Sequence, residues 1–241
     1  SASDVMIGGG TETIAWTRSF APGTAIVEVS RNGAAGPWTQ VGQSDSSSFN
    51  WQVTAPVTTT ARFRVSLVSK PWVQGAIGFN NTIVMPLIDL TSPVAGDTLA
   101  VARDVLVSWD REYTNDPVDV LIDRGNPVSD VELLREDVVG DSIHWTVTPP
   151  LTPNSRFILR TSSGIFVETN GDTSFVITNP VVNVLQPNGG ETWVMGQNVT
   201  INWSRVAVSD PVHVELNRNY PAGTWEVLAA NVAGNTFGWT V

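Results

Sequence analysis

Few side chains in these 241 residues are of the types that do chemistry. The only histidines are His144 and His213. Each stands between apolar residues that alternate with it, which predicts solvated imidazoles on the outer faces of strands rather than a metal or catalytic pair. There are no cysteines, which excludes a disulfide framework, thiolate zinc sites and a cysteine nucleophile. Asp110, Glu112, Asp116 and Asp119, with Asn170-Gly171-Asp172 further on, offer oxygen ligands near a junction and could hold calcium. They lack the ligand spacing of a dedicated loop and read as solvated loop charge. Glu132, Glu136 and Asp137 fit an alternating surface strand, and nothing places two of them across a cleft as acid and base. Gly8-Gly9-Gly10 lacks the lysine and following helix of a phosphate loop and reads as a turn. No nucleophile elbow or triad is present, so a non-enzymatic protein is expected.

The remaining chemistry is aromatic. Trp38 and Trp225 follow turns rich in glycine and proline and are the candidate ligand-binding residues, since an exposed indole can stack on a sugar ring. A hairpin tryptophan more often covers the end of its own core. Trp72 and Trp193 are the other two tryptophans available to a polysaccharide reading.

What must position these residues is a repeat. Trp16, Trp109 and Trp203 lie 93 and 94 residues apart, Trp51, Trp145 and Trp239 lie 94 and 94 apart, and Arg31, Arg124 and Arg218 keep the same phase. A period this long is close to the roughly 100 residues of an immunoglobulin-like sandwich. Three units are expected: 1–86, with its first strand missing or atypical; 87–179, complete; and 180–241, without its C-terminal strands. The junctions at Pro86 and Pro180 carry no glycine or serine linker, which predicts a semi-rigid rod.

Within each unit the apolar period is two. Val105, Val107 and Trp109 alternate with polar or outward residues, as do Val199, Ile201 and Trp203. Ala25-Val27-Val29, Val118-Val120-Ile122 and Val212-Val214-Leu216 form the next strand, each followed by the repeated arginine and a turn. A second tryptophan strand then places Phe49, Trp51 and Val53, or Ile143, Trp145 and Val147, on one face. All six repeated tryptophans are expected to point inward. About seven short strands per unit, with no helical spacing, predict an all-β chain of tandem antiparallel Ig-like or fibronectin-III-like sandwiches.

Composition bounds the partners. Thirteen basic against 23 acidic residues give a net charge of −10, the wrong sign for a phosphate backbone or an anionic membrane surface. Neither nucleic acid binding nor membrane insertion is expected.

The string Pro187-Asn188-Gly189-Gly190-Glu191-Thr192-Trp193, followed by Gly196, Ile201, Trp203, Val214-Glu215-Leu216 and Trp225-Glu226-Val227-Leu228-Ala229, resembles the tandem Ig-like repeats of large secreted and surface-attached bacterial proteins. These are related in pattern to an Ig-like domain of fungal cell-wall glucan-assembly proteins. The resemblance implies an extracellular spacer or adhesive stalk beside other modules, with no catalytic residues and no cofactor. The first unit lacks the Pro-Asn-Gly-Gly opening, and the second has Val131 where the others have Trp38 and Trp225. Two alternatives accompany this reading. The incomplete terminal units could self-associate by strand complementation into a filament, or the turn tryptophans could bind polysaccharide.

Overall fold

The structure is a computed structural model that describes residues 4–125, 131–169 and 174–241. Among the described residues the alternating pattern folds as strands, interrupted by a single 3-10 turn at Gly33–Ala35. No helix among the described residues is long and apolar enough to cross a membrane.

In the first repeat the strands are β1 (Val5–Ile7), β2 (Thr11–Ala15), β3 (Ala25–Ser30), β4 (Thr39–Ser44), β5 (Ser48–Gln52), β6 (Thr58–Leu67), β7 (Lys70–Ala76) and β8 (Asn81–Val84). One sheet runs β1-β8-β6-β3-β4, with β7 added beside β6, and the other is β2-β5. The second repeat holds β9 (Leu87–Ser92), β10 (Thr98–Ala100), β11 (Asp104–Glu112), β12 (Val118–Asp123), β13 (Val131–Val138), β14 (Ser142–Thr146), β15 (Thr152–Thr161) and β16 (Phe175–Thr178). Its sheets are β10-β16-β15-β12-β13 and β14-β11-β9, the five-over-three arrangement of an Ig-like sandwich. The third repeat holds β17 (Val181–Gln186), β18 (Asn198–Val206), β19 (Val212–Asn217), β20 (Trp225–Val232) and β21 (Thr236–Thr240), in sheets β17-β18-β21 and β19-β20. No strand pairing described crosses from one repeat to another.

Register repeats along with sequence. Val29 lies opposite Phe63 and Ile122 opposite Phe157. This brings Trp51 edge-on to Phe63 at 5.4 Å and Trp145 edge-on to Phe157 at 5.5 Å, the favoured geometry for aromatic quadrupoles. In the second repeat Ile88, Val107, Trp109 and Trp145 from one sheet meet Val120, Ile122, Phe157, Leu159, Phe175 and Ile177 from the other. Met6, Val29, Trp51, Val53, Phe63 and Ile83 make the corresponding core of the first. Gly42 admits the ring of Phe49, since a Cβ there would overlap it.

Several expectations need correction. Two pairings are parallel, β1 with β8 and β10 with β16, because a short strand crosses over to the far sheet before the main hairpins begin. Eight strands are described in the second repeat rather than about seven, and β1 of the first repeat is the counterpart of β10, each pairing in parallel with the last strand of its repeat. Trp51, Trp109, Trp145 and Trp203 are buried, but Trp16 lies just past the end of β2 and is half-buried, as is Trp239. In the second repeat β9 covers the tryptophan edge by pairing with Trp109; among the described residues no strand pairs with that edge in the first repeat, where Trp16 lines an open cavity of about 550 Å³. Around Trp239 the facing sheet has only β19 and β20, whereas its counterparts have five strands or more.

Candidate functional site

The residues kept in phase by the repeat converge on fold-holding contacts. Arg31, Arg124 and Arg218 lie over Trp51, Trp145 and Trp239, with the guanidinium carbon 5.9, 5.5 and 5.8 Å from the ring centre. Arg31 donates to the Thr54 carbonyl and hydroxyl at 2.8 and 2.9 Å; Arg124 donates to the same two groups of Thr148, both at 2.7 Å. Arg124 also meets Glu132 at 2.9 Å, and Arg218 meets Glu226 at 3.0 Å. Burial lowers the Arg31 pKa from its ordinary value by penalising the charged form.

A second arginine set escaped the sequence reading. Arg18, Arg111 and Arg205 stand two residues after the first tryptophan, 93 and 94 apart, and the repeat period is the signal that could have found them. Each forks across two loops. Arg18 donates to the Gly23 carbonyl at 2.6 Å and to the Ser44 and Ser46 carbonyls. Arg111 donates to the Asp116 carbonyl at 3.1 Å, the Val139 carbonyl at 2.8 Å and the Asp141 carboxylate at 2.7 Å. Arg205 reaches the Asp210 carbonyl at 3.0 Å and the carbonyls of Val232, Ala233 and Gly234. A planar, permanently charged fork suits this task, since one side chain satisfies several otherwise unpaired loop carbonyls.

The predicted site residues are not brought together. Trp38 is half-buried just before β4 and lies under Arg64, whose guanidinium carbon is 4.6 Å from the ring centre and which is itself paired with Glu28 at 2.7 Å. That ring face is therefore occupied. Trp225 opens β20, is 59% exposed and meets Tyr220 edge-on at 6.2 Å. It lines a cavity of about 330 Å³ between the two sheets of the third repeat, together with Trp193, Trp203 and Trp239.

His144 Nδ1 donates a 2.7 Å hydrogen bond to the Asp104 carboxylate on the surface, and His213 is exposed at the edge of the Trp225 cavity. Of the acidic residues expected in loops, Asp110 and Glu112 lie in β11 and Asp119 in β12; Asp116 accepts the Ile165 N–H at 3.1 Å and Asp119 accepts the Asp137 N–H at 3.1 Å. Among the described residues no three His, Asp or Glu side chains gather as a metal site, and Asn170, Gly171 and Asp172 lie outside the described residues. Glu191 accepts the N–H groups of Asn188 and Gly189 at 2.7 and 2.8 Å, and these bonds to its charged form lower its pKa below the ordinary carboxylate value.

No protein-family model matches the chain, and no curated protein matches it. Solved structures similar to it include fibronectin(III)-like modules of Clostridium thermocellum CbhA, 12% identical over 74% of this chain and 90% of that one, with a TM-score of 0.28. The FN1–FN3 domains of chicken CNTN1 are 12% identical, over 98% of this chain and 85% of that one, at 0.30. SGBP-B of a Bacteroides ovatus mixed-linkage glucan utilization locus, solved with a mixed-linkage heptasaccharide, is 13% identical over 99% of this chain and 57% of that one, at 0.29. At these scores the likenesses assign neither a family nor a ligand, and the Ig-like sandwich rests on the strand order itself.

Proposed function

We propose that the chain is a non-enzymatic run of three Ig-like domains, 1–86, 87–179 and 180–241, serving as a structural spacer or adhesive stalk in a secreted or cell-surface protein. The observation that carries this reading is how the in-phase residues are used. The two arginine sets hold the loops and tryptophan strands of their own repeats in all three copies, and four of the six in-phase tryptophans are buried. A reactive centre needs a particular set of groups once, whereas a spacer needs the same scaffold in every copy. The direct passages from Val84 through Pro86 to Leu87, and from Thr178 through Pro180 to Val181, leave little chain for independent tumbling. Small-angle X-ray scattering is expected to give an elongated particle with a single long dimension. A compact, near-spherical particle would exclude the spacer.

A second reading concerns adhesion. The open Trp225–Tyr220 pair favours contact with a polysaccharide over any role for the covered Trp38. Titration with soluble glucans, mannans and peptidoglycan fragments is then expected to shift tryptophan fluorescence, and Trp225→Ala to lose the shift. An unchanged spectrum across the panel rejects it.

A further inference from the structure

The repeat also keeps in phase four aromatic residues that lie outside both cores. Phe20 and Tyr113 are 93 residues apart, and Trp72 and Phe166 are 94 apart. Their side chains are open, at 103%, 51%, 76% and 71% exposure in that order. The in-phase arginines and central tryptophans are held by the fold that they stabilise; these rings are not.

One loop contact organises each pair. The Val68 N–H donates to the Thr24 carbonyl at 3.0 Å, and its counterpart, the Ser162 N–H, donates to the Pro117 carbonyl at 2.9 Å. Each bond ties the loop before β3 or β12 to the segment after β6 or β15. Phe20 and Tyr113 stand four residues before the acceptor, and Trp72 and Phe166 four residues after the donor. In the second repeat Asp116 tightens the tie by accepting the Ile165 N–H.

The backbone beneath two of the rings is unfavourable. Phe20 and Tyr113 are left-handed, with φ of 52° and 57°, a region that large side chains rarely enter. An exposed ring returns no packing for that strain, and such outliers gather at binding surfaces. Ala207 occupies the same position in the third repeat, at φ of 53°, without a ring. The rings are also not part of the contact between repeats. The Gly9 turn of the first repeat packs against Ile165, since a Cβ on Gly9 would stand 2.7 Å from its Cγ2, yet Tyr113 and Phe166 remain open.

The surroundings indicate what such rings hold. Ser19 in the first repeat, and Asn115, Ser162 and Ser163 in the second, are exposed neighbours in sequence. Each pair therefore joins flat apolar faces to uncharged hydrogen-bonding groups. A sugar ring presents the complement, an apolar C–H face bordered by hydroxyls. The net charge of −10 disfavours an anionic polymer. A polymer of like sugars also offers a repeated ligand to a repeated site, whereas a folded protein partner takes one contiguous patch.

We propose that Phe20 with Trp72, and Tyr113 with Phe166, form two equivalent sites for a neutral polysaccharide, one on each of the first two repeats. This deepens the adhesive reading above and makes no use of Trp225. Two sites on one chain engage one polymer together, so the binding is multivalent.

Affinity electrophoresis through gels containing hydroxyethyl cellulose, galactomannan or starch, with polygalacturonate as the anionic comparison, tests the proposal. The protein is expected to be retarded by at least one neutral polymer and not by polygalacturonate. Phe20→Gly/Trp72→Ser and Tyr113→Gly/Phe166→Ser should each weaken the apparent affinity about tenfold or more, through lost multivalency, and the four substitutions together should abolish it. Glycine relieves the left-handed strain, so neither Phe20→Gly nor Tyr113→Gly should lower the thermal unfolding temperature. Trp225→Ala should leave retardation unchanged. The proposal is overturned if no neutral polymer retards the protein, or if retardation survives all four substitutions. Loss of retardation in Trp225→Ala alone overturns it in favour of the third repeat. Lowered unfolding temperatures in the glycine variants overturn it by showing that the rings serve the fold.

Discussion

At the scale of single residues, the molecule relies on arginine. With only one lysine in the chain, its positive charge is almost wholly guanidinium, and the two in-phase sets show why. Arg31, Arg124 and Arg218 spread a flat cation over an indole while their edges bind the end of the tryptophan strand or a neighbouring glutamate. Arg18, Arg111 and Arg205 replace the water that loop carbonyls would otherwise need. Arg111→Ala is therefore expected to cost about 2–3 kcal/mol, the scale for removing a charged donor from several partly buried acceptors. Arg111→Lys should recover less than half of that, because an ammonium cannot span acceptors on two loops in one plane. Urea denaturation of the three proteins checks both values, and full recovery by lysine would show that charge alone matters. The Arg31, Arg124 and Arg218 set was legible as a repeat before its contacts were known. The Arg18, Arg111 and Arg205 set was equally legible and was passed over because no motif surrounds it.

At the scale of elements, the informative feature is the short first strand and its turn. β10 crosses to pair in parallel with β16, and the chain then reverses through Ala102 to enter β11. The reversal needs a left-handed residue. Gly9 and Gly196 supply it at φ of 83° and 82°, while Ala102 is held at 67°. A Cβ in that region costs about 1–2 kcal/mol, partly offset by the greater freedom glycine has in the unfolded chain. Ala102→Gly is thus expected to stabilise the protein by about 0.5–1 kcal/mol, measured as an upward shift in thermal unfolding. A destabilised variant would mean that the alanine methyl makes a packing contact worth more than the strain. Sequence patterning found the long alternating strands but missed β1, since three residues before a glycine run carry too little period to register.

At the scale of the whole molecule, the three repeats share a plan but are not equally filled. The first and second repeats enclose continuous buried clusters, whereas in the third only Trp203 and Val214 are buried hydrophobics among the described residues. β17 is exposed along its full length, although its counterpart β9 contributes Ile88 to the second core. The difference follows from sheet area: β19 and β20 offer two strands where the second repeat sets five against the tryptophan sheet. The sequence by itself determined the period, the strand content, the inward faces of the central strands and the absence of cysteine chemistry. All of these follow from residue identity and a period of two, which need no knowledge of what lies opposite. Only the tertiary structure decided that Trp16 and Trp239 are half-covered, and that Trp38 lies under Arg64 while Trp225 is open. Those outcomes depend on which strand covers which edge, and a side chain's burial is set by its neighbours across the sandwich rather than by its own position along the chain.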